Sequence, residues 1–226
     1  MLYRHFFWDF DGTLYDTYGR ITRACVKTLQ ALGGAAVFDA VYPAAKRSLH
    51  TVYLAFAAPL GVEEQAFLTG YYRCSELEDP ASVRLYPGAA EALQAVAAGG
   101  GRNYLYTHRN SSALDWLRRD GLDQLFSDQV TGLDGFPNKP APDALNYLLA
   151  KHGLDRRECV MVGDRAIDLD AGKNAGMAYA LFDPEDFYPD YDTPWRFRDM
   201  ETLRAVLMEG SEEIGRGIQH ENAGGN

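Results

Sequence analysis

The chain has 226 residues, enough to bury one large hydrophobic core or two modest ones. It carries 22 Lys and Arg against 32 Asp and Glu, and this net charge of −10 argues against diffuse binding to nucleic acid or anionic membranes. Three widely spaced cysteines predict reduced thiols in a cytoplasmic protein. The apolar runs are too short to span a bilayer and no signal-peptide pattern is visible, so we expect no membrane association.

The first predicted strand runs from Tyr3 to Phe10 and ends in two acids. It is short and aromatic-rich and passes into a polar loop, which is typical of a buried strand before a tight turn. Alternation along a strand places Asp9 and Asp11 on one side and Phe10 on the other. Two carboxylates this close repel unless a proton or a cation lies between them, which favours a hard cation such as Mg2+. The alternative is an ordinary Asp-Gly turn, or Asp11 acting as a helix cap.

Residues 17–84 are predicted to be helical throughout. Apolar residues at helical spacing indicate a first helix through Ile21, Cys25 and Leu29 that stops at Gly33. Further helices are expected at Asp39–Leu49, Val52–Pro59 and Glu63–Cys74. No strand pattern appears here, so the region is predicted to be a compact four-helix insert.

From Ala89 onward, helices alternate with apolar strands. The predicted helices are Ala89–Ala98, Ser111–Arg119, one that opens at Pro142, and Leu169–Asn174, and the predicted strands are Asn103–Tyr106, Asp128–Val130, Cys159–Val162 and Ala178–Phe182. This alternation is typical of a doubly wound parallel sheet covered on both faces. The expected fold class is α/β, with a Rossmann-like core of residues 1–16 and 85–208 and an inserted α-helical cap domain of residues 17–84. Residues 209–226 are polar and Gly-rich and predict a disordered tail.

Reactive side chains follow the predicted strands. In a doubly wound sheet, ligands bind beyond the carboxyl ends of the strands. Thr107 follows the second strand of the core, Lys139 precedes the helix at Pro142, and Asp164 and Asp168 follow the strand at Cys159. Acids for a metal ion, a hydroxyl and a cation at one edge suit phosphoryl transfer, in which positioning and charge neutralisation supply most of the catalysis.

Four segments together resemble the motifs of a known family. They are Asp9-Phe10-Asp11-Gly12-Thr13, Tyr104-Leu105-Tyr106-Thr107, Lys139-Pro140, and Gly163-Asp164-Arg165-Ala166-Ile167-Asp168. In order and spacing they resemble the haloacid dehalogenase-like (HAD) superfamily of phosphohydrolases, and the resemblance covers nearly the whole chain except the tail. The helical insert is similar to the cap of the subgroup that contains phosphoglycolate phosphatases.

The resemblance implies a role for each matching residue. Asp9 would be the nucleophile that forms an aspartyl-phosphate, and Asp11 would be the acid for the leaving oxygen and then the base for water. Mg2+ would be held by the Asp9 carboxylate, the Asp11 backbone carbonyl and Asp164, while Asp168 would hold metal-bound water or steer Lys139. Phosphate-binding roles are implied for Gly12, Thr107, His108 and Lys139.

Some of these assignments have simpler alternatives. Taken singly, Thr107 could cap a strand end, Lys139 could be a solvated surface residue, and Asp168 could stabilise a helix N-terminus. The second motif usually continues with Asn or a small polar residue, but this chain has His108 and Arg109. The change is harmless if the position acts through its backbone N–H. If a side chain points inward, His108 or Arg109 could contact the leaving group.

The implied function is that of a Mg2+-dependent phosphatase acting on a small phosphorylated metabolite. The first alternative is a phosphomutase or phosphotransferase that uses the same intermediate. Mutases of the family tend to carry a second acid just before the metal-binding Asp of the fourth motif, and Gly163 occupies that place, which favours hydrolysis. A true dehalogenase would lack Asp11, and a non-catalytic phosphate-binding module would lack the nucleophile or a metal ligand. The substrate, and the choice between monomer and dimer, remain open.

Overall fold

A computed structural model describes residues 1–208, which fold into two compact units. The α/β unit contains residues 1–14 and continues from Leu85, and the helical unit is Tyr15–Arg84. The tail expected to be disordered, residues 209–226, lies outside the described residues. Among residues 1–208, no helix combines the length and the apolar character needed to cross a membrane.

The α/β unit is built on a parallel sheet of six strands, which confirms the predicted fold class. The strands of the described chain are β1 (His5–Trp8), β2 (Tyr15–Asp16), β3 (Arg84–Leu85), β4 (Arg102–Tyr106), β5 (Phe126–Val130), β6 (Cys159–Gly163), β7 (Ala178–Phe182) and β8 (Arg196–Phe197). The large sheet has the order β5-β4-β1-β6-β7-β8, and β2 pairs with β3 in a separate two-stranded sheet. Trp8 at the end of β1 lies level with Leu105 on one side and Val162 on the other, so the carboxyl ends of these three strands meet at one edge.

The helices largely follow the predicted order. They are α1 (Tyr18–Ala31), α2 (Phe38–Arg47), α3 (Leu49–Val52), α4 (Glu64–Glu76), α5 (Ala89–Ala98), α6 (Ser112–Arg119), α7 (Asp143–His152), α8 (Ala166–Asn174) and α9 (Met200–Leu207). The helix expected over Val52–Pro59 is instead a π-helical segment, Tyr53–Ala57, and a 3-10 turn, Ala58–Leu60. Pro59 lacks the N–H that an α-helix would need there, which accounts for the change.

The centre of the sheet is packed with large side chains. Phe6, Phe7 and Trp8 of β1 are fully buried, as expected for a central parallel strand covered on both faces. The Trp8 indole N–H donates to the Asn103 side-chain oxygen at 2.9 Å, which satisfies the one polar atom of the ring. Phe7 stacks on Tyr104 of β4 with ring centroids 4.7 Å apart. These contacts fix the strands whose ends carry the predicted site.

A backbone hydrogen bond joins the two segments of the α/β unit where the chain leaves it and returns to it. The Tyr86 backbone N–H donates to the Leu14 carbonyl at 2.9 Å. Within the helical unit, α1 contacts both α2 and α4. Buried Glu78 accepts from Arg23 at 2.9 Å and from Lys27 at 2.5 Å, so α1 is tied to the chain that follows α4.

Candidate active site

The predicted reactive residues gather where β1, β4 and β6 end. Asp9 follows β1, and its backbone N–H donates to the Val162 carbonyl at 2.9 Å. Thr107 follows β4, and its backbone N–H donates to the Val130 carbonyl at 3.0 Å. These bonds extend the sheet by one residue on each strand. They hold the two side chains at its carboxyl edge, where ligands bind in folds of this kind.

Three buried acids form a compact cluster, the acidic trio of Asp9, Asp164 and Asp168. One carboxylate oxygen from each lies within 4.8 Å of the others. Oδ2 of Asp9 is buried and has no hydrogen-bond partner in the part of the chain that the structure describes. A buried carboxylate oxygen without a donor is costly unless a cation satisfies it. The donor set is all oxygen, so the acidic trio fits a hard divalent ion such as Mg2+.

Lys139 connects the acidic trio to the sheet. Its buried Nζ donates to Asp9 Oδ1 at 2.7 Å, to Asp168 Oδ1 at 2.8 Å and to the Tyr106 carbonyl at 2.8 Å. An ammonium has three N–H donors, and these contacts use all of them. Lys139 is therefore not a solvated surface residue, and a phosphoryl oxygen would have to share one of its donors.

Charge is distributed unevenly over these groups. Burial raises the pKa of Asp9 to about 6, and the nearby Asp168 carboxylate adds to the shift against the opposing effect of Lys139. Burial also acts to raise the pKa of Asp168, but Lys139 and Arg165 outweigh it and hold that pKa below its ordinary value. The metal-free site thus keeps Asp168 ionised beside Lys139, while the charge on Asp9 needs further compensation. A divalent cation at Asp9 would supply it.

Asp11 has a different cationic partner from Asp9. The Arg109 Nε lies 3.0 Å from both Asp11 carboxylate oxygens, and its Nη2 lies 2.6 Å from Oδ1. The Arg109 Cζ sits 4.6 Å from the centroid of the Trp116 ring. The result is a bidentate, charge-assisted pair resting on an aromatic face.

The remaining predicted residues occupy supporting positions. His108 Nε2 accepts a hydrogen bond from the Lys139 backbone N–H at 2.9 Å, so its ring supports the segment that carries Lys139. The Thr107 Oγ1 accepts from the Arg109 backbone N–H at 3.1 Å, which leaves the hydroxyl proton available for another acceptor. Gly12 has φ of +84°, a conformation that favours glycine in the turn after β1.

Arg165 also belongs to the site, although the motif comparison assigned it no role. Its Nη2 lies 4.0 Å from Asp9 Oδ2 and its Nε lies 3.8 Å from Asp168 Oδ2. Its backbone N–H donates to Asp168 Oδ2 at 3.1 Å, which opens α8 with a capping interaction. The sequence feature that could have indicated this role is a cationic residue placed between two acids just before a helix.

Gly163 leaves no space for a side chain. A Cβ at this position would overlap the Asp168 side chain. The place where mutases of the family carry a second acid is therefore sterically closed in this chain, in agreement with the sequence-based preference for hydrolysis.

The environment of His108 predicts that the stability of the protein depends on pH. Burial and the nearby Lys139 lower the pKa of His108 to about 4. Because this folded-state pKa lies below the unfolded value of about 6.5, the unfolded chain binds more protons between these limits. The contribution of neutral His108 to the free energy of unfolding is complete above pH 6.5 and is lost as the pH falls toward 4.

His108→Gln should remove this pH dependence, since the Gln amide oxygen can still accept from the Lys139 N–H. Between pH 7 and pH 5 the wild type should lose about 1–2 kcal/mol more unfolding free energy than His108→Gln. Urea titrations in metal-free buffer measure the difference. The raised pKa of Asp9 acts with the opposite sign in this window, but it is common to both proteins. Equal losses would show that the folded protein accepts a charged imidazole at this position.

The chain is similar to known proteins along most of its length. A profile of haloacid dehalogenase-like hydrolases matches residues 3–176. A phosphoglycolate phosphatase of Vibrio parahaemolyticus is 32% identical over 184 residues, which cover 75% of this chain and 79% of that protein. The pyrophosphatase PpaX of Listeria innocua is 30% identical over 213 residues, covering 89% of this chain and 94% of that protein.

A solved structure shows the same likeness along almost the whole chain. It is a hydrolase from Streptococcus pneumoniae TIGR4, 31% identical in sequence, and it superposes with a TM-score of 0.63. The match covers 92% of this chain and 99% of that one.

Proposed function

The chain belongs to the haloacid dehalogenase-like hydrolase family, and from this premise we propose that it is a Mg2+-dependent phosphatase that works through an aspartyl-phosphate on Asp9. The substrate is a small phosphorylated metabolite. One observation carries the proposal: Asp9 is buried with one carboxylate oxygen held by Lys139 and the other lacking a hydrogen-bond partner among the described residues. The activities named for the Vibrio and Listeria relatives support the same reaction type.

In the first half of the reaction, a carboxylate oxygen of Asp9 attacks phosphorus. The new P–O bond forms as the bond from phosphorus to the leaving oxygen breaks, and the leaving oxygen takes a proton from Asp11. Lys139, sharing one of its three donors, and the Thr107 hydroxyl would donate to the non-bridging phosphoryl oxygens. Mg2+, held by the acidic trio, would neutralise the phosphoryl charge that otherwise repels the attacking carboxylate.

In the second half, water attacks the phosphorus of the aspartyl-phosphate. Asp11 now accepts a proton from the water, the P–O bond to Asp9 breaks, and inorganic phosphate leaves with Asp9 restored as a carboxylate. Lys139 keeps Asp9 and Asp168 in place through both steps, because it contacts both carboxylates and the Tyr106 carbonyl of β4.

Metal dependence is the direct test of this proposal. Phosphate release from 4-nitrophenyl phosphate is expected to stop in EDTA and to return with excess Mg2+. Mg2+ alone should also raise the melting temperature, because a ligand that binds only the folded state stabilises it by mass action. Colorimetric phosphate assays and thermal melts with and without Mg2+ measure both effects.

Two variants make the test specific, one within the acidic trio and one outside it. Asp164→Asn should abolish the thermal shift by Mg2+, since it removes one charge of the acidic trio. Asp170→Asn is the matched control, because Asp170 lies on α8 but accepts from the Tyr191 hydroxyl at 2.7 Å, outside the trio. Full activity in EDTA, or an Mg2+ shift that survives in Asp164→Asn, would contradict the proposed metal site.

A further inference from the structure

Arg109 precedes α6 and is held by contacts on several sides. Its guanidinium lies 4.6 Å from the ring centroid of Trp116 and 5.8 Å from that of Phe10, and its backbone N–H donates to the Thr107 hydroxyl. Only 13% of the side chain is exposed. A guanidinium fixed this way presents its planar fork in one direction at little entropic cost. The partner that it meets in that direction is the carboxylate of Asp11.

The pair formed by Arg109 and Asp11 differs from the other ion pairs of the site in its access to solvent. The side chain of Asp11 is 20% exposed, whereas Lys139 and Asp9 are exposed by 0% and 1%. Lys139 and Arg165 face the buried acidic trio. Arg109 is thus the site cation whose carboxylate partner lies where an incoming molecule can reach it.

The position of Arg109 defines the part of a substrate that it can touch. In the proposed reaction Asp11 serves the leaving oxygen, and in the ligand-free structure Arg109 Nε lies 3.0 Å from both oxygens of the Asp11 carboxylate. The group attached to the leaving oxygen must therefore pass beside the guanidinium. A planar fork matches a carboxylate or a phosphate with two parallel hydrogen bonds. The Asp11 carboxylate shows that the guanidinium accepts such an anion in this geometry.

We propose that Arg109 determines specificity by binding an anionic group on the leaving group of the substrate. The preferred substrates are then phosphate esters or anhydrides in which a carboxylate or a second phosphate lies a few bonds from the bridging oxygen. When such a substrate binds, its anion takes the guanidinium and the Asp11 carboxylate turns to the leaving oxygen. This inference rests on the proposed function. It adds a substrate class and a residue that selects it.

The chain's overall charge favours a local cation for such a substrate. At a net charge of −10, the protein as a whole repels a substrate with two anionic ends. In the proposed reaction, Lys139 and a cation held by the acidic trio would serve the transferring phosphoryl group only. A second anion needs a cation of its own, and Arg109 is placed on the leaving-group side.

Substrates with and without a second anionic group show how much that group contributes to kcat/KM. We would measure kcat/KM for phosphoglycolate, which carries a carboxylate, and for pyrophosphate, which carries a second phosphate. Ethyl phosphate has the shape of phosphoglycolate without the carboxylate, and 4-nitrophenyl phosphate has a good leaving group that carries no carboxylate or second phosphate. In Arg109→Gln, the preference for an anionic substrate over ethyl phosphate should fall about ten- to hundredfold, mainly through KM. Arg109→Lys should restore part of the preference, since it keeps the charge but loses the fork.

The control variant is Arg118→Gln, on α6, whose exposed side chain pairs with Asp115 instead of an active-site residue. It should leave the preference unchanged. Phosphoglycolate and pyrophosphate distinguish the two kinds of anion. If Arg109→Gln lowers the preference for only one of them, Arg109 selects the anion that this substrate carries. If Arg109→Gln lowers kcat/KM equally for all four substrates, Arg109 only positions Asp11 and the inference is wrong.

A binding experiment decides the question independently of turnover. Calorimetry would compare 3-phosphonopropionate, a non-hydrolysable relative of phosphoglycolate, with propylphosphonate, which lacks the carboxylate. The wild type should bind the first about ten- to hundredfold more tightly, and Arg109→Gln should bind both alike. Equal binding of the two compounds by the wild type would overturn the inference. Absence of hydrolysis of every substrate, with this binding preference intact, would overturn the proposed function and leave the role of Arg109 supported.

Discussion

Asp9→Asn is expected to lower kcat for every phosphomonoester by at least about ten-thousandfold, because the amide side chain cannot form an acyl phosphate. The wild type should accumulate an acyl phosphate that hydroxylamine traps during turnover. The variant should accumulate none. Steady-state phosphate release and quenched-flow trapping with hydroxylamine measure the two effects.

The loss in Asp9→Asn should not come from unfolding. Burial and Asp168 raise the pKa of Asp9 to about 6 in the metal-free protein, so the ionised carboxylate is disfavoured there and a neutral amide of the same shape costs little stability. Lys139 keeps its contacts to Asp168 and the Tyr106 carbonyl. Thermal melts in EDTA should therefore be close to those of the wild type, with Asp170→Asn as the matched control. Turnover by Asp9→Asn at a tenth of the wild-type rate would assign the nucleophile elsewhere.

Asp11→Asn is expected to split the reaction into a fast first half and a stalled second half. An aryl phosphate has a stable leaving group, so it should still phosphorylate Asp9 without a proton donor. Breakdown of the aspartyl-phosphate needs a base on water, and it should slow by about a hundred- to ten-thousandfold. Stopped-flow absorbance with 4-nitrophenyl phosphate should show a burst of about one phenolate per active site, followed by very slow turnover.

The leaving group supplies the control for Asp11→Asn. An alkyl phosphate needs the transferred proton, so it should give neither burst nor turnover in this variant. The Asn side-chain oxygen can still accept from Arg109, which preserves the position of the residue. Wild-type rates with both alkyl and aryl phosphates would remove Asp11 from the acid–base role.

Strands β6 and β7 were predictable because their apolar runs are unbroken. Cys159–Val162 and Ala178–Phe182 read as buried strands, and β6 and β7 agree with them to within one residue. β8 was missed because two residues, Arg196–Phe197, carry no periodicity. α8 begins three residues before the predicted Leu169, since its start is fixed by the bond between the Arg165 N–H and the Asp168 side chain.

The candidate site was predictable as a set of residues but not as a set of pairs. Strand ends identify Asp9, Thr107 and Asp164 because a parallel sheet gathers its carboxyl ends at one edge. The pairing of Arg109 with Asp11 joins residues 98 positions apart, and no sequence spacing encodes it. The same holds for Lys139, whose three donors converge on groups from three segments only after folding.

The hydrogen bond between Tyr86 and Leu14 has a consequence for how such proteins diversify. It closes the α/β unit at the point where the chain departs into the helical unit, so the insertion has two ends one hydrogen bond apart. A segment that replaced Tyr15–Arg84 would therefore have to meet the α/β unit at one point only. The acidic trio and Lys139 lie outside Tyr15–Arg84, so such a replacement would change none of these four residues.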